Sequence, residues 1–347
     1  MNIEKICISN DPAMYEAWPD LVLTPTGKLL CVFTECKHHK DRSYTRIMLT
    51  DSVDNGRTWS PKRPLTEGTA GLSYSYNCAR ISALSDGRLV VIVDRVPETG
   101  EKAAADAVNR LYFSSDDGVS WSEPVETPLR GIVPDKLREL DNGRWISSAH
   151  YKVKGNLTQF CRWSDDQGKT WSDEIVIGYD RRYNLCEVCI LPFGGGKLVA
   201  FMRENSGLGR DCIKSISYDN GETWSPLVEF PLPGCHRPVA GILNDGRIFI
   251  TYRFMQGGNS NFGFWTQNFF GAITDRDSVF AVRRSDSGTR IIPIDFDRSP
   301  LSDLGYSGWV QLPDGSVYIA SYIVDDAIDK GQIRGYRLKV DDFILKN

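Results

Sequence analysis

Six segments along the chain share one pattern, in which a glycine-containing turn leads into a run of apolar and β-branched residues. They read TPTGKLLCVF, LSDGRLVVIV, LDNGRWISSA, FGGGKLVAFM, LNDGRIFITY and LPDGSVYIAS. Such a turn and run are typical of a strand that enters a buried sheet from a hairpin. The sequence shows no sustained 3.6-residue period, so the pattern predicts strands and not paired helices.

A second motif, Ser-x-Asp-x-Gly-x-x-Trp, occurs four times and is offset from the first series. It begins at Ser52, Ser114, Ser164 and Ser217, and these starts lie 62, 50 and 53 residues apart. The Asp side chain and the glycine favour a tight hairpin turn, while Ser and Trp fasten its ends by a hydrogen bond and by apolar packing. A period of this length corresponds to one small sheet.

Together, the two series predict an all-β fold, a six-bladed β-propeller of four-stranded antiparallel blades. Six units in 347 residues give about 58 residues per unit, which fits one four-stranded blade. The strand-like runs IEKICIS and IRGYRLKV at the two ends are expected to complete one blade together and close the ring. Because the period continues without a linker, we expect residues 1–347 to form one domain.

Composition changes this picture mainly by excluding classes of partner. The formal net charge is −4 and no basic stripe is present, so nucleic acid is not an expected partner. The sequence has no apolar run of about 18 residues, so no membrane partner is expected either. The 9 Trp, 14 Tyr and 15 Phe provide the bulky side chains that blade interfaces need.

Cysteine usage and the first residues bear on location and on cofactors. Nine cysteines without a framework spacing favour reduced thiols, and the start MNIEKICISNDP lacks a secretory signal, so a cytoplasmic location is expected. A signal removed from the chain leaves secretion as the alternative. Cys36, His38 and His39 do not have the spacing of a zinc site, and no metal or organic cofactor is expected.

The repeated Ser-x-Asp-x-Gly-x-x-Trp motif resembles the Asp box, or BNR repeat, of the sialidase superfamily. The period and the six units extend this likeness over essentially the whole chain. In that family the boxes lie on the blade rims, away from the active centre. They therefore imply the propeller fold but no chemistry, and function has to be argued from site residues.

The segment CEVCILPFGGGKLVAFMREN resembles the sialidase segment in which a Glu on an inner strand is followed by an Arg that binds the substrate carboxylate. Glu187 and Arg203 take those two positions. An Arg at the end of an apolar strand holds its guanidinium at a rigid site, which suits bidentate recognition of a carboxylate. The alternative is a Glu–Arg ion pair that only holds two strands together.

The segment DLGYSGWVQLPDGSVYIASY resembles the one that carries the family's catalytic tyrosine, which places Tyr306 as the nucleophile. A phenol beside a Glu base can attack an anomeric carbon next to a carboxylate, where a carboxylate nucleophile would be repelled. A tyrosine packed at a blade corner is the alternative. Arg276, in ITDRDSVFAV, resembles the position of another carboxylate-binding Arg, with Arg283 and Arg284 nearby.

The first blade departs from the family pattern. Sialidases usually carry an Arg two residues before a Pro near the start, but here Ala17 and Trp18 precede Pro19. The segment FTECKHHKDRS resembles the family's Ala-Glu-x-Arg stretch, with Lys37 in place of the Arg. The loop that follows contains Asp41, which is the candidate for the general acid and base, and a solvated loop charge is the alternative.

Four further polar residues fall where they can face a central funnel. They are Arg80, His236, Arg237 and Arg253. The innermost strands of a propeller converge on its axis, so side chains from different blades can meet there. A cationic funnel of this kind indicates an anionic sugar, and inter-blade ion pairs are the alternative.

The resemblance thus implies a glycoside hydrolase that resembles retaining exo-sialidases and acts on a terminal acidic sugar. The implied roles are Tyr306 as nucleophile, Glu187 as its base, Asp41 as acid and base, Arg203 and Arg276 as carboxylate clamp, and Lys37 and Trp18 in the binding pocket. Two alternatives remain: a lyase in which Tyr306 or His236 removes a proton next to a carboxylate, and a glycan-binding propeller without catalysis. The missing first-blade Arg predicts slow cleavage of an aryl α-sialoside and better turnover of another acidic glycoside.

Overall fold

Six four-stranded antiparallel sheets follow one another along the chain, and each is one blade of a β-propeller. A computed structural model describes residues 3–98, 103–255, 267–327 and 329–343. Strand β1 (Glu4–Ser9) belongs to the last blade, and the other strands are numbered in chain order. The architecture confirms the all-β, six-bladed fold predicted from the two repeated motifs.

The first three blades occupy the amino-terminal half of the chain. Blade 1 consists of β2 (Tyr15–Leu23), β3 (Leu29–His38), β4 (Asp41–Ser52) and β5 (Arg63–Pro64). Blade 2 consists of β6 (Tyr74–Ala83), β7 (Leu89–Pro97), β8 (Val108–Ser114) and β9 (Val125–Arg130). Blade 3 consists of β10 (Arg138–Glu139), β11 (Trp145–Val153), β12 (Asn156–Ser164) and β13 (Ile175–Gly178).

The other three blades include a short helix, α1 (Arg276–Phe280), after the third strand of blade 5. Blade 4 consists of β14 (Leu185–Pro192), β15 (Leu198–Glu204), β16 (Asp211–Ser217) and β17 (Val228–Pro233). Blade 5 consists of β18 (Cys235–Ile242), β19 (Ile248–Met255), β20 (Gln267–Thr274) and β21 (Arg290–Phe296). Blade 6 consists of β22 (Leu304–Gln311), β23 (Val317–Ile323), β24 (Gln332–Leu338) and β1. Single 3₁₀ turns span Arg284–Asp286, Asp325–Ala327 and Val340–Phe343.

The two ends of the chain close the ring, as predicted. Strand β1 pairs antiparallel with β24, with Glu4 opposite Arg337 and Lys5 opposite Tyr336. The first strand of blade 1, β2, contacts both β6 and β22, so the innermost strands of blades 1, 2 and 6 are neighbours around the axis. Pairing the first strand of the chain with the last removes the edge that an open sheet would expose.

The hydrophobic core lies between the blades. In β3, Leu30 and Val32 pack with Val91 and Val93 of blade 2, while the alternate residue Phe33 faces the cluster shared with blade 6. Side chains of a strand alternate between its two faces, so each blade contributes one face to each neighbour. Because its two faces pack against different neighbours, the second strand of each blade has a fixed register. The blades are therefore rigid supports for residues near the propeller axis.

The two predicted turn series both occur as expected. The first connects the first and second strands of each blade, with positive φ at Gly27, Gly87, Gly143, Gly196, Gly246 and Gly315. The Ser-x-Asp-x-Gly-x-x-Trp turns connect the third and fourth strands of blades 1 to 4. In blade 1, Ser52 Oγ accepts from the amide of Gly56 at 2.9 Å, and Asp54 accepts from the amide of Thr58 at 2.9 Å.

Strand direction assigns these turns to one face of the propeller. In an antiparallel blade the first and third strands run the same way, so both turn series lie at the same edge. We call this edge the turn face. The connections between second and third strands, and those from one blade to the next, lie at the opposite edge, which we call the funnel face.

Helix content is low. Helix α1 is the only α-helix in the described part of the chain. No helix among the described residues is long and apolar enough to cross a membrane. All nine cysteines are free thiols, eight of them buried, so the blades are held by packing and hydrogen bonds without disulfides. The cytoplasmic location stays a prediction.

Candidate active site

Irregularities in the first strands give the funnel its shape. Five first strands shift register against the second strand, at Ala17/Asp20, Tyr76/Ala79, Cys186/Cys189, His236/Val239 and Leu304/Ser307. At each shift two residues oppose one, which is a β-bulge, a feature that often re-aims a side chain next to an active site. Trp18, Glu187 and Arg237 adopt φ values of 54, 49 and 50° in these bulges. Such left-handed backbone costs roughly 1–3 kcal/mol per residue and concentrates at functional sites.

Three of the predicted site residues, two of them predicted to be catalytic and one to bind the substrate carboxylate, meet at the axis. The hydroxyl of Tyr306 donates a short hydrogen bond to Oε1 of Glu187. Nη1 of Arg203 donates to the same carboxylate oxygen at 2.6 Å and to the Tyr306 hydroxyl at 3.2 Å. Blades 4 and 6 thus bring together groups that lie 103 and 119 positions apart in sequence. Of the four residues predicted to face one pocket, the structure therefore brings Glu187, Arg203 and Tyr306 into direct contact.

The charges around this trio keep Glu187 ionised and Tyr306 protonated. Burial acts to raise the pKa of Glu187, but the charge of Arg203, its hydrogen bond and the charge of Arg253 outweigh it and hold that pKa at about 2. Burial and the neighbouring Glu187 raise the pKa of Tyr306 well above its usual value. Glu187 is therefore ionised, and the proton that it can accept is on the hydroxyl of Tyr306.

A second guanidinium group, that of Arg253, lies beside Tyr306 in addition to that of Arg203. Nη2 of Arg253 lies 3.2 Å from Nδ1 of His236, and its guanidinium carbon lies 5.2 Å from the ring centre of Tyr306. Burial and the charges of Arg203 and Arg253 lower the pKa of His236 well below its usual value, so this imidazole is neutral at neutral pH. Arg253 and Arg203 occupy matching positions in blades 5 and 4, each opposite the last residue before the bulge.

Arg237 lies beneath Tyr306. Its guanidinium carbon is 6.0 Å from the Tyr306 ring centre, and its Nη2 donates to the carbonyl of Pro134 at 2.9 Å. The side chain is buried, and its carbonyl partner lies in the connection between β9 of blade 2 and β10 of blade 3. Arg237 therefore supports the ring of Tyr306, whereas His236 contacts Arg253.

The wall on the blade 1 side is aromatic, and a cation lies on it. Trp18 lies 5.9 Å from Tyr322, and Tyr322 lies 6.2 Å from Tyr306, both measured between ring centres. The guanidinium carbon of Arg42 lies 3.9 Å from the ring centre of Trp18. Nη2 of Arg42 donates to Asn77 at 3.1 Å, while Nη1 is buried without a hydrogen-bond partner among the described residues.

A partly buried carboxylate that the sequence analysis did not single out lies next to this wall. Asp303 accepts hydrogen bonds from Tyr15 at 2.5 Å and from Tyr322 at 2.7 Å, and its Oδ2 makes a short contact with Nδ1 of His39. Nη1 of Arg253 lies 3.6 Å from its Oδ1. Burial acts to raise the pKa of Asp303, but the hydrogen bond and charge of His39 and the charge of Arg253 hold it at about 2.

Asp41 and Lys37 lie at the rim and not in the pocket. Asp41 is exposed and accepts hydrogen bonds from the amide and hydroxyl of Ser43, at 3.0 and 2.6 Å. These bonds lower its pKa, whereas a general acid needs a raised one. Lys37 is exposed, and its carbonyl accepts from Lys330. The structure brings neither side chain into contact with the trio, so the acid role predicted for Asp41 has no support in the geometry.

Arg276 lies on the wrong face for the carboxylate clamp. It begins helix α1, which follows the third strand of blade 5 and so lies on the turn face. Its guanidinium carbon lies 5.1 Å from the ring centre of Phe193 and 5.3 Å from that of Phe280. The grouping predicted for Arg276 is therefore wrong, and Arg253 occupies the position beside Tyr306.

Arg80 belongs to a buried ion network below the funnel. Its Nη1 donates to the carbonyl of Pro19 at 3.1 Å, and its Nε lies 3.8 Å from Asp20. Lys136 lies 3.1 Å from the other oxygen of Asp20. Asp20 lies in blade 1, Arg80 in blade 2 and Lys136 just before β10 of blade 3. Arg80 therefore takes part in an inter-blade ion pair, which was the alternative to a pocket role.

One group of carboxylates has the spacing of a metal site. Asp11, Glu16 and Glu35 place an oxygen each within 4.8 Å of one another. The ammonium of Lys62 lies 2.8, 2.7 and 2.5 Å from these three side chains. The lysine already supplies the positive charge that a cation would bring, so these residues form an ion cluster in blade 1.

The sequence analysis missed a signal that identifies several of these residues. The seventh residue after each turn glycine is Thr34, Asp94, His150, Arg203, Arg253 or Tyr322. All six carry a polar group, and they end runs that are mainly apolar and β-branched. This spacing selects Arg253 over Arg276, and it also finds Tyr322, which holds Asp303. His39 and Arg42 carry no comparable signal, because the matching hairpin of blade 3 has Lys154 and Leu157 at these positions.

A family model described as a BNR repeat-like domain matches residues 74–319, from the start of β6 into β23. Among curated proteins, the chain is 21% identical to a sialidase of Clostridium perfringens over 235 residues, which is 59% of each protein. It is 26% identical to a sialidase of Bacteroides fragilis over 210 residues, or 54% of this chain and 35% of that protein. The matched region thus spans less than two thirds of the length of these relatives.

Solved structures show the same fold. A protein of unknown function from Dyadobacter fermentans has a TM-score of 0.75 at 20% identity, covering 97% of this chain and 99% of that one. The intramolecular trans-sialidase from Ruminococcus gnavus has a TM-score of 0.70 at 14% identity, covering 96% of each. The NanB sialidase from Streptococcus pneumoniae has a TM-score of 0.69 at 15% identity, covering 96% of this chain and 70% of that one. Since the family model covers five of the six blades in whole or in part, the chain belongs to the family of BNR repeat-like domain proteins.

Proposed function

We propose that this protein is a sialidase-like glycoside hydrolase that acts on a terminal acidic sugar, with Tyr306 as the nucleophile. The observation that carries the proposal is the hydrogen-bonded trio of Tyr306, Glu187 and Arg203 at the axis. A nucleophile in contact with a base, which a third group orients, is the arrangement that covalent catalysis requires. The likeness to sialidases over more than half of the chain supports the reaction class.

Tyr306 and Glu187 can exchange one proton during the reaction. In the first half, the Tyr306 proton passes to Glu187 while the phenolic oxygen bonds to the anomeric carbon and the bond to the leaving group breaks. In the second half, water takes the place of Tyr306 at that carbon, and the phenolate recovers its proton from Glu187. A substrate carboxylate that binds Arg203 weakens the hold of Arg203 on Glu187, so Glu187 becomes more basic when the proton has to move.

The charges of the funnel favour an anionic substrate. Arg203 and Arg253 end matching strands beside Tyr306, and each has a buried Nε without a hydrogen-bond partner among the described residues. Arg42 adds a third guanidinium with a free Nη1. Unpaired buried donors are costly unless a ligand satisfies them, and guanidinium groups match the planar geometry of a carboxylate.

Trp18 bears on the expected substrate specificity of the protein. The first strand of blade 1 supplies an aromatic wall where an Arg was expected, and the nearest blade 1 cation is Arg42, stacked on that wall. Loss of one charge-assisted contact costs roughly tenfold to a hundredfold in affinity. We therefore propose that an acidic glycoside other than a standard aryl α-sialoside is the better substrate.

The test is turnover of a panel of aryl glycosides of carboxylated sugars, which includes 4-nitrophenyl α-sialoside and 4-nitrophenyl uronides. We expect hydrolysis of at least one, and a loss on the order of 10³-fold or more in Tyr306→Phe, because the covalent route is gone. Tyr151→Phe is the matched control, since it removes a tyrosine hydroxyl that donates to Glu174 at 2.6 Å away from the trio. Unchanged turnover in Tyr306→Phe contradicts the proposal, and an unsaturated, ultraviolet-absorbing product identifies a lyase instead.

A further inference from the structure

The trio supplies a nucleophile and its base, but the leaving group also needs a proton donor. Asp41 lies exposed at the rim with a lowered pKa, so it does not meet this need. A different pair, His39 and Asp303, lies beside the pocket. We propose that His39 is the general acid and base of the reaction and that Asp303 is its positioning residue, an inference that rests on the proposed hydrolase function.

Asp303 fixes the state of the imidazole. Its Oδ2 contacts Nδ1 of His39, and its two oxygens also accept from Tyr15 and Tyr322. Because Asp303 is ionised, Nδ1 carries the proton of this hydrogen bond and Nε2 is the nitrogen left for proton exchange with a substrate. A carboxylate that holds one imidazole nitrogen in this way sets the tautomer and stabilises the imidazolium.

The ring orientation of His39 is also fixed by packing. Trp18 meets the ring edge to face, with ring centres 5.2 Å apart and an angle of 90° between the planes. Tyr15 lies 6.2 Å away on another side. The carbonyl of His39 accepts from Nε of Arg42 at 3.2 Å, which anchors the backbone of the hairpin. A proton donor has to be held in a fixed direction to act in a transition state, and these contacts hold it.

The pair lies close to the nucleophile. Arg253 touches both halves of the site: its guanidinium carbon lies 5.2 Å from the ring centre of Tyr306, and its Nη1 lies 3.6 Å from Asp303. His39, Asp303 and Arg253 line one cavity of about 410 Å³, together with Tyr15. A cavity of this size accommodates a sugar-sized group, and its lining residue Arg253 also contacts the ring of Tyr306.

The proton balance closes over the two halves of the reaction. As the glycosidic bond breaks, protonated His39 gives the Nε2 proton to the departing oxygen and becomes neutral. Neutral His39 then takes a proton from the attacking water, whose oxygen bonds to the anomeric carbon as the bond to Tyr306 breaks. His39 returns to its protonated form and Glu187 returns its proton to Tyr306, so no other reactant is needed.

The contact between His39 and Asp303 also ties the hairpin after β3 to blade 6, so the test has to separate catalysis from structure. His39→Asn does this, because an Asn amide nitrogen can replace Nδ1 as the donor to Asp303 while nothing replaces Nε2. The substrates are the 4-nitrophenyl glycoside of the acidic sugar that the wild type hydrolyses fastest and the methyl glycoside of the same sugar. 4-Nitrophenolate leaves without protonation, whereas methoxide needs the acid.

We expect kcat/KM of His39→Asn to fall about 10²–10⁴-fold on the methyl glycoside and less than about tenfold on the 4-nitrophenyl glycoside. Sodium azide should raise turnover of the variant on the 4-nitrophenyl glycoside, because azide attacks the anomeric carbon without a base. A loss that is equal on both substrates, no loss on either, or a leaving-group-dependent loss in Asp41→Asn instead overturns the proposal. Tyr306→Phe distinguishes failure of the role proposed for His39 from failure of the proposed function. Retained activity in that variant would rule out Tyr306 as the nucleophile.

Discussion

The turn face and the funnel face of this propeller are built from the same strands, yet they differ in how far the blades repeat. On the turn face, the amide of the motif glycine donates to the motif serine at 2.9, 2.8, 2.8 and 2.9 Å in blades 1 to 4. On the funnel face, the residue type at matching positions changes from blade to blade, except that blades 4 and 5 both carry an Arg. A bond that recurs in four blades stabilises the fold, whereas positions that vary among blades can build one asymmetric site.

The seventh residue after the turn glycine shows this difference within one position. In blades 1 and 2, Thr34 donates to the carbonyl of Asn77 and Asp94 accepts from the amide of Val133, so both hold the backbone of the next blade. In blades 4 and 5 the same position carries Arg203 and Arg253, which meet Glu187, His236 and Tyr306. At this position, blades 1 and 2 therefore support the backbone of a neighbouring segment, whereas blades 4 and 5 contribute side chains to the candidate site.

The largest effect is expected from a substitution on the funnel face. Arg203→Met leaves Glu187 buried without its main cation, which should lower the free energy of unfolding by about 3–5 kcal/mol and abolish turnover. Arg247→Met is the control on the turn face, where Arg247 pairs with Asp245 and Asp341, both largely exposed. We expect that change to cost about 1 kcal/mol or less.

Urea unfolding of the two variants at neutral pH measures the difference. Equal shifts of the midpoint would show that the buried pair contributes no more than a surface pair, and the rigidity assigned to the funnel would then be wrong. Turnover of the folded Arg247→Met protein serves as the second readout, and it should match that of the wild type.

The fold could be predicted from the sequence because its signals are local and repeated. Turn glycines such as Gly87, and motif turns such as the one at Ser114, each report on a few neighbouring residues. Their spacing then gives the number of blades without any knowledge of contacts between them. The closing strand β1 followed from the same reasoning, since a propeller has to pair its last open edge.

The site could be predicted only in part, because it depends on which face a residue occupies. Glu187, Arg203 and Tyr306 lie in segments whose resemblance to sialidases includes the strand and turn around them. The position of Arg276 before Tyr306 in the sequence resembles that of a carboxylate-binding Arg in sialidases. However, Arg276 follows the third strand of blade 5 and so lies on the turn face. Asp41 begins β4 beside the hairpin tip, where its side chain is exposed, and the sequence does not show how that tip folds.

A smaller loss of stability is expected from a substitution on the turn face where blade 1 packs against blade 6. Gly56 and Gly27 have nearly the same φ, +83 and +85°, so replacing either by Ala carries the same backbone strain. A Cβ at Gly56 would lie 2.1 Å from the ring of Tyr318 in blade 6, whereas a Cβ at Gly27 meets no atom within 4 Å. Gly56→Ala should therefore cost about 1–3 kcal/mol more than Gly27→Ala.

Thermal or urea unfolding of both Gly→Ala variants checks this, and their difference isolates the packing between blades 1 and 6. Equal losses would show that the ring of Tyr318 moves aside freely and that the motif turn does not hold the neighbouring blade. Turnover per folded molecule should stay at the wild-type level in both, because the two glycines lie on the turn face.

The smallest expected effect concerns a single motif turn. Asp116 accepts from the amide of Ser120 at 2.9 Å and from the hydroxyl of Ser114 at 2.8 Å, so Asp116→Ala removes bonds inside the turn. The freed amide is exposed and can bind water, which limits the loss to about 1 kcal/mol. Glu123→Ala, an exposed change with the same loss of charge on the same blade, should cost less. Turnover per folded molecule should equal that of the wild type, and a loss of turnover without a loss of stability would show that the turn face takes part in function after all.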